Sequence, residues 1–272
     1  MYELFERISH LPYKYPDDAY YSTVYLGGEH TKISYTEVVP SLECNAVGFM
    51  FCCNVLSRSV RGLVDIAIGA SGSETVIVEN LSFAASQDAA KEYGTALVFP
   101  VQLPQGSRIS VRGQCSYALV STIQVNIVPI LNGGFRSNSP LSCVDTYGAN
   151  TSDSGGVEVA IGDGAFSSWT QITSSLTNSV KGFYLALSPD DSDSAKTSLS
   201  AQLEIGVGSS GNEVVVVDDW SFAGGYYSYR GGRFWPNYTP FFGIQIAEGE
   251  RVSVRAKGSS DDTMDVILYG VR

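Results

Sequence analysis

The 272-residue chain contains two histidines, His10 and His30. A Ser-His-Asp or Cys-His nucleophile would have to recruit one of them, and no G-x-S-x-G elbow leads into a helix to offer a serine. Acid–base work by paired carboxylates needs two acids roughly 5 to 10 Å apart. Asp65 and Glu74 are candidates, but they return as Glu204 and Glu213 in matching sequence, and a residue set used twice points to bonding turn amides within the fold. Arg108 with Arg112, and Arg251 with Arg255, also recur. At i and i+4 each pair lies on one face of a strand, where it can meet Asp65 or Glu204 across a sheet.

Asp190, Asp191 and Asp193 cluster in a polar run and are weak candidates for a hard cation. They lack EF-hand spacing and its glycine, so the expectation is a solvated acidic loop and no metal. Five cysteines, Cys44, Cys52, Cys53, Cys115 and Cys143, are odd in number and form no C-x-x-C pair. They read as reduced and mostly buried, with Cys52 and Cys53 on opposite faces of one strand; a zinc site is not supported. No cofactor is expected.

The elements that must hold these residues are repeated. Val64 to Ala84, VDIAIGASGSETVIVENLSFA, returns as Leu203 to Ala223, LEIGVGSSGNEVVVVDDWSFA. GSRISVR from Gly106 returns as GERVSVR from Gly249, and Val47-Gly48-Phe49 as Lys181-Gly182-Phe183. Such matches imply an internal duplication. The expected organisation is an N-terminal docking arm over residues 1–23, a first domain over 24–131, a Gly/Ser/Asn-rich linker over 132–156 and a second domain over 157–272. Phe135, Leu141 and Tyr147 suggest that the linker drapes over a domain.

Both copies read as nearly all strand. ALVFPVQL, RISVRGQC and TIQVNIVPI, then FFGIQI, RVSVRAKG and DVILYGV, alternate apolar with polar residues or run apolar, and β-branched residues are frequent. Gly72, Gly211, Gly106 and Gly249 fall where hairpin turns need a positive φ. DAAKEYG at 88–94 could give a turn or two of helix. About 110 residues with seven or eight strands predicts an all-β fold: two tandem antiparallel β-sandwiches, jelly-roll-like, although an immunoglobulin-like strand order fits the same periodicity.

Composition excludes several function classes. Net charge is −11 and no segment is basic, so binding nucleic acid by neutralising phosphates is not expected. There is no apolar run long enough for a membrane span. The N-terminus lacks the charged start and apolar core of a secretory signal.

The copies differ most outside the matched segments. After the shared Ser-Phe-Ala the second copy carries GGYYSYRGGRFWPNYTPFF, with Tyr226, Tyr227, Tyr229, Phe234, Trp235 and Tyr238 beside Arg230 and Arg233. Aromatic side chains on a Gly-rich loop suit a partner contact, with protein favoured over a host-surface glycan. The arm has no counterpart in the second copy and carries Phe5, Leu11 and Tyr13, which could clamp a neighbouring subunit.

The repeated unit, an aromatic before T-x-V/I, a Gly-Phe strand, a D/E-I-x-I/V-G-x-S-G-x-E turn and a G-x-R-I/V-S-V-R strand, resembles a type of tandem β-sandwich virion structural protein in tailed bacteriophages. The resemblance covers residues 24–272. It implies a non-enzymatic virion component, tail- or fibre-associated, with capsid decoration as an alternative, partnered by other virion proteins and by itself in a homo-oligomer. It carries over no catalytic residues, because its motifs serve the fold. A carbohydrate-binding receptor-recognition module is the remaining alternative.

Overall fold

The structure, a computed structural model, describes residues 20–55, 60–85, 95–116, 121–131, 141–189, 198–225, 237–259 and 262–272. These residues form strands and turns without a helix. The segment at 88–94 expected to be helical lies outside them.

The first eight strands are β1 (Tyr20–Gly27), β2 (Thr36–Val39), β3 (Gly48–Val55), β4 (Val60–Ile68), β5 (Thr75–Ala85), β6 (Thr95–Phe99), β7 (Ile109–Cys115) and β8 (Ser121–Ile130). The predicted alternation is visible in β8, where Ile123, Val125 and Ile127 point into the core and Thr122 and Gln124 away from it. One sheet has the order β1-β8-β3-β6, the other β2-β7-β4-β5, and both are antiparallel. At its end β1 leaves the first sheet and pairs in parallel with β7 through Leu26–Gly113 and Gly27–Gln114, which closes one corner. Two four-stranded sheets in this order form a jelly roll. The order decides against the immunoglobulin-like alternative.

The second set consists of β10 (Val157–Asp163), β11 (Thr170–Thr173), β12 (Gly182–Pro189), β13 (Ser198–Val207), β14 (Val214–Gly225), β15 (Asn237–Tyr238), β16 (Val252–Gly258) and β17 (Asp262–Val271). Its sheets are β10-β17-β12-β15 and β11-β16-β13-β14, with the same parallel corner between β10 and β16. Even the irregularities coincide. The register slips between Glu37 and Val39 and again between Gln171 and Thr173, between Val64 and Ile66 and again between Leu203 and Ile205. At the second slip Asn80 and Asp219 sit at φ of 50° and 44°. This left-handed conformation is one that Asn and Asp tolerate better than most residues, and the bulge requires it. Gly72 and Gly211 both have φ of 82°, as their hairpin turns require.

Of the expected linker, residues 141–156 are described, and Phe135 lies outside them. These described residues include β9 (Val144–Tyr147), which pairs antiparallel with the end of β17 and bridges β5 at Val78. Leu141 and Val144 enter the first hydrophobic core and Tyr147 the second, so the connection is packed between the sandwiches.

The two sandwiches pack directly on each other. Phe183, Leu185 and Leu187 of β12 and Met264, Val266 and Leu268 of β17 point into the second core. The alternate residues Tyr184, Ala186, Ile267, Tyr269 and Val271 belong to the first core. A strand buried on both faces is continuously apolar, which explains why TMDVILY turns apolar from Val266 while its counterpart TIQVNIV alternates. Burying these five side chains contributes on the order of 10 kcal/mol before the cost of ordering them.

Candidate functional site

On the outer face of the β2-β7-β4-β5 sheet, the slipped register at β5 leaves the Asn80 amide without a ladder partner. Asp65, fully buried on the facing strand, accepts that amide at 2.9 Å. The same carboxylate accepts Lys32 Nζ at 2.6 Å and Arg112 Nε at 2.9 Å. Arg112 also lies over the Tyr35 ring, 4.6 Å from its centroid. A buried carboxylate needs such partners, because desolvation would otherwise neutralise it. Four residues before Arg112, Arg108 meets Glu37 at 2.7 Å and Glu74 at 3.2 Å, and Glu74 in turn accepts the Gly72 amide at 2.9 Å.

The second sandwich repeats this design. Arg255 donates to Glu204 at 2.6 Å and stacks over Trp169, 4.5 Å from the centroid. Arg251 meets Glu213 at 2.7 Å and Gln171 at 3.0 Å. Each arginine pair therefore divides its work, one member to the strand carboxylate and the other to the turn glutamate. The Glu74 carboxyl is held below the usual range by its own backbone amide, with Arg108 and the Gly72 amide adding to the effect. Burial opposes ionisation of Glu213, but Arg251 and the backbone amides outweigh it and lower that carboxyl too.

The equivalent sites differ in how their charges are arranged. Lys32 joins Asp65 to the Asn80 side-chain carbonyl in the first sandwich. In the second, Glu204, Asp218 and Asp219 bring three carboxylates to within 4.8 Å of one another. Arg255 and Lys257 pair with Glu204 and Asp219, so two of the three charges are already matched.

The joint between the sandwiches is the other concentration of polar side chains. Tyr184 Oη donates to the Val98 carbonyl at 2.9 Å. Tyr269 Oη donates to the Asn80 carbonyl at 3.1 Å and accepts the Ser82 amide at 2.9 Å, while Tyr238 Oη donates to the Ser82 carbonyl. Burial pushes all three phenols well above their usual range, which keeps them protonated donors. Arg61 Nη1 donates to Asp265 at 2.8 Å.

The turn at 150–155, just before β10, docks on the same side of the first sandwich. Gln114 Nε2 reaches the Thr151 carbonyl at 2.7 Å and Ser154 Oγ at 3.0 Å, and His30 Nδ1 lies 2.9 Å from Ser154 Oγ. The turn is shaped internally by Asp153, which accepts Asn150 Nδ2 and the Gly155 amide, each at 2.7 Å. His30, the histidine within the described residues, is thus spent on joining the halves.

Of the residues singled out in the sequence, Phe5, Leu11, Tyr13, Tyr226, Tyr227, Tyr229, Arg230, Arg233, Phe234 and Trp235 lie outside the described residues, as do His10, Asp190, Asp191 and Asp193. Tyr238 lies at the joint and is a contact residue toward the first sandwich of its own chain. Tyr184, Tyr269, Arg61 and Gln114 escaped the sequence reading. Their signal is a difference between copies at outward strand positions: Tyr184 and Tyr269 stand where the first copy has Met50 and Val128.

All five cysteines are free. Cys53 and Cys115 are buried while Cys44, Cys52 and Cys143 are half-buried, so burial is less general than expected. Cys53 points into the core and Cys52 away from it, and burial raises the Cys52 thiol to about 11. Among the described residues no helix is long and apolar enough to cross a membrane.

Neither a protein-family model nor a curated protein sequence matches this chain. Among solved structures it is similar to PNGF-II, with a TM-score of 0.40 and 10% identity over 92% of this chain and 65% of that one. It is also similar to the cryo-EM structure of Broad Bean Stain Virus, with a TM-score of 0.38 and 8% identity over 94% of this chain and 90% of that one. A third similarity is to the PBSX exported protein XepA, with a TM-score of 0.20 and 9% identity over 94% and 86% of the two chains. The chain spans about two thirds of the length of PNGF-II, and superpositions this loose lend it neither an activity nor a partner.

Proposed function

We propose that this chain is a non-enzymatic structural component of a virion, tail- or fibre-associated, that works through protein–protein contacts. The supporting observation is how its ionisable side chains are used. The arginines and carboxylates placed by both sandwiches neutralise each other in matched pairs that hold bulges and turns. Catalytic carboxylates instead need environments that push their pKa values apart. The surface most specialised for contact, the outer face of β12 and β17, is buried against the first sandwich of the same chain. An assembly built from such rigid double units would extend contacts of the same kind to neighbours.

The test is mass spectrometry of purified particles from a lysate in which the gene is expressed, followed by gold labelling in electron microscopy. Label on tails or fibres supports the reading. Label spread over the capsid shifts it to decoration, and absence from particles overturns it.

A further inference from the structure

β5 and β14 are counterparts, and each is the outer strand of its sheet, but the second sandwich covers β5. Val78 bridges Val144 of β9, and the Glu79 carbonyl accepts Thr146 Oγ1. Tyr269 Oη spans the Asn80 carbonyl and the Ser82 amide, and Tyr238 Oη donates to the Ser82 carbonyl. The outward backbone of β5 is thus bonded along its length, and Val78 and Ser82 are buried.

Strand register carries these positions onto the second half. Ser82 faces Leu63 as Ser221 faces Gln202, and Val78 faces Ile66 as Val217 faces Ile205. The groups that point outward at Asn80 and Ser82 therefore return at Asp219 and Ser221. Among the described residues β14 pairs with β13 alone, and Val214, Val215, Asp218, Asp219 and Ser221 are exposed along it. A strand edge of this kind is a template for one more strand.

Charge selects the occupant. Asp219 is paired with Lys257, whereas Asp218 is exposed and has no ion pair among the described residues. A second copy would add acid to acid, because the chain carries a net charge of −11. Its tyrosine-bearing face, the one that covers β5, is also already buried within its own chain. A segment with lysine or arginine opposite Asp218 and apolar residues beside Val214 and Val215 is complementary to this edge.

We infer that the outer edge of β14 takes up an extended, basic segment of another protein as an added strand. The Ser221 amide and carbonyl supply ladder bonds, and Asp218 selects the charge of the incoming side chain. The inference deepens the assembly reading proposed above and rests on it for the partner's being a virion protein.

The test uses the purified full chain and a fluorescein-labelled peptide, Lys-Val-Lys-Val-Lys-Val, followed by fluorescence anisotropy, with circular dichroism to check folding. The wild type should bind this peptide, and a version with alternate amides N-methylated should not bind, because it cannot donate to the edge. Ser221→Pro removes an amide that points away from β13 and should weaken binding about tenfold while the fold is kept. Asp218→Lys, a change at an exposed side chain, should weaken binding about tenfold at low salt and confer binding of Glu-Val-Glu-Val-Glu-Val. A wild type that does not bind, or binding that neither variant alters, overturns the inference. Self-association of the wild type that Ser221→Pro abolishes also overturns it, by giving the edge to a second copy. None of these results touches the virion reading, which is decided by presence in particles.

Discussion

The Tyr269 hydroxyl bonds the β5 backbone at its bulge and just beyond it, donating to the Asn80 carbonyl at 3.1 Å and accepting from the Ser82 amide at 2.9 Å. One side chain of the last strand thus supplies partners to two backbone groups nearly two hundred residues earlier. Its counterpart Val128 has no polar atom with which to do this. Tyr269→Phe preserves the packing and leaves that amide and carbonyl buried without this partner, at a cost of about 1–3 kcal/mol. Urea unfolding followed by fluorescence should show the loss. At the matching position of the first half, Val128→Tyr and Val128→Phe should show no hydroxyl-dependent difference of that size.

Asp65 and Glu204 occupy equivalent positions with different numbers of donors. Asp65→Asn removes the charge that balances Lys32 and Arg112 in a fully buried site, which should cost about 3–5 kcal/mol. Glu204→Gln breaks the pair with Arg255 at a carboxylate that is less completely buried and has no counterpart of the Lys32 contact, and should cost less. Equal losses in thermal melts of the two variants would contradict this ranking.

The turn glutamates set an acid limit on stability. Glu74 and Glu213 both have carboxyl pKa values lowered in the folded state. A lowered folded-state pKa contributes stability that is present above the unfolded value of about 4.3 and disappears as pH falls through the folded value. Melting temperature should therefore decline below about pH 4.3 in the wild type, and the double variant Glu74→Gln, Glu213→Gln should show a shallower decline. A parallel pair of pH profiles would rule these residues out as the cause.

Cysteine reactivity should follow burial. Cys53 and Cys115 lie in the core, and burial raises the Cys53 thiol far above its usual range. The thiolate is the reactive form, so iodoacetamide at pH 8 should spare both in the native protein and label them in urea. With its thiol raised to about 11, Cys52 should react slowly despite partial exposure. Peptide mass mapping against time measures this order, and rapid native labelling of Cys53 would contradict the core placement.

Much of the architecture was legible because strand chemistry is local. Alternation in ISVRGQC and TIQVNIVPI, glycines at turn positions and the repeat itself required only neighbours in sequence. The arginine pairs could be placed on one strand face, but not assigned. Arg108 reaches Glu37 and Glu74 while Arg112 reaches Asp65, a division that depends on which strands are adjacent. His30 has no partner assigned to it by the sequence, and its role emerges only where the turn at Ser154 folds against it.

The sequence by itself determined two similar β-sandwich units, their turns and the charged residues that serve them, because periodicity, turn propensity and internal repetition are properties of short segments. Tertiary structure alone decided the jelly-roll strand order, the β9 connection and the burial of β12 and β17 on both faces. Those outcomes depend on contacts between residues up to about two hundred positions apart, and an apolar side chain on a strand does not encode which surface will cover it.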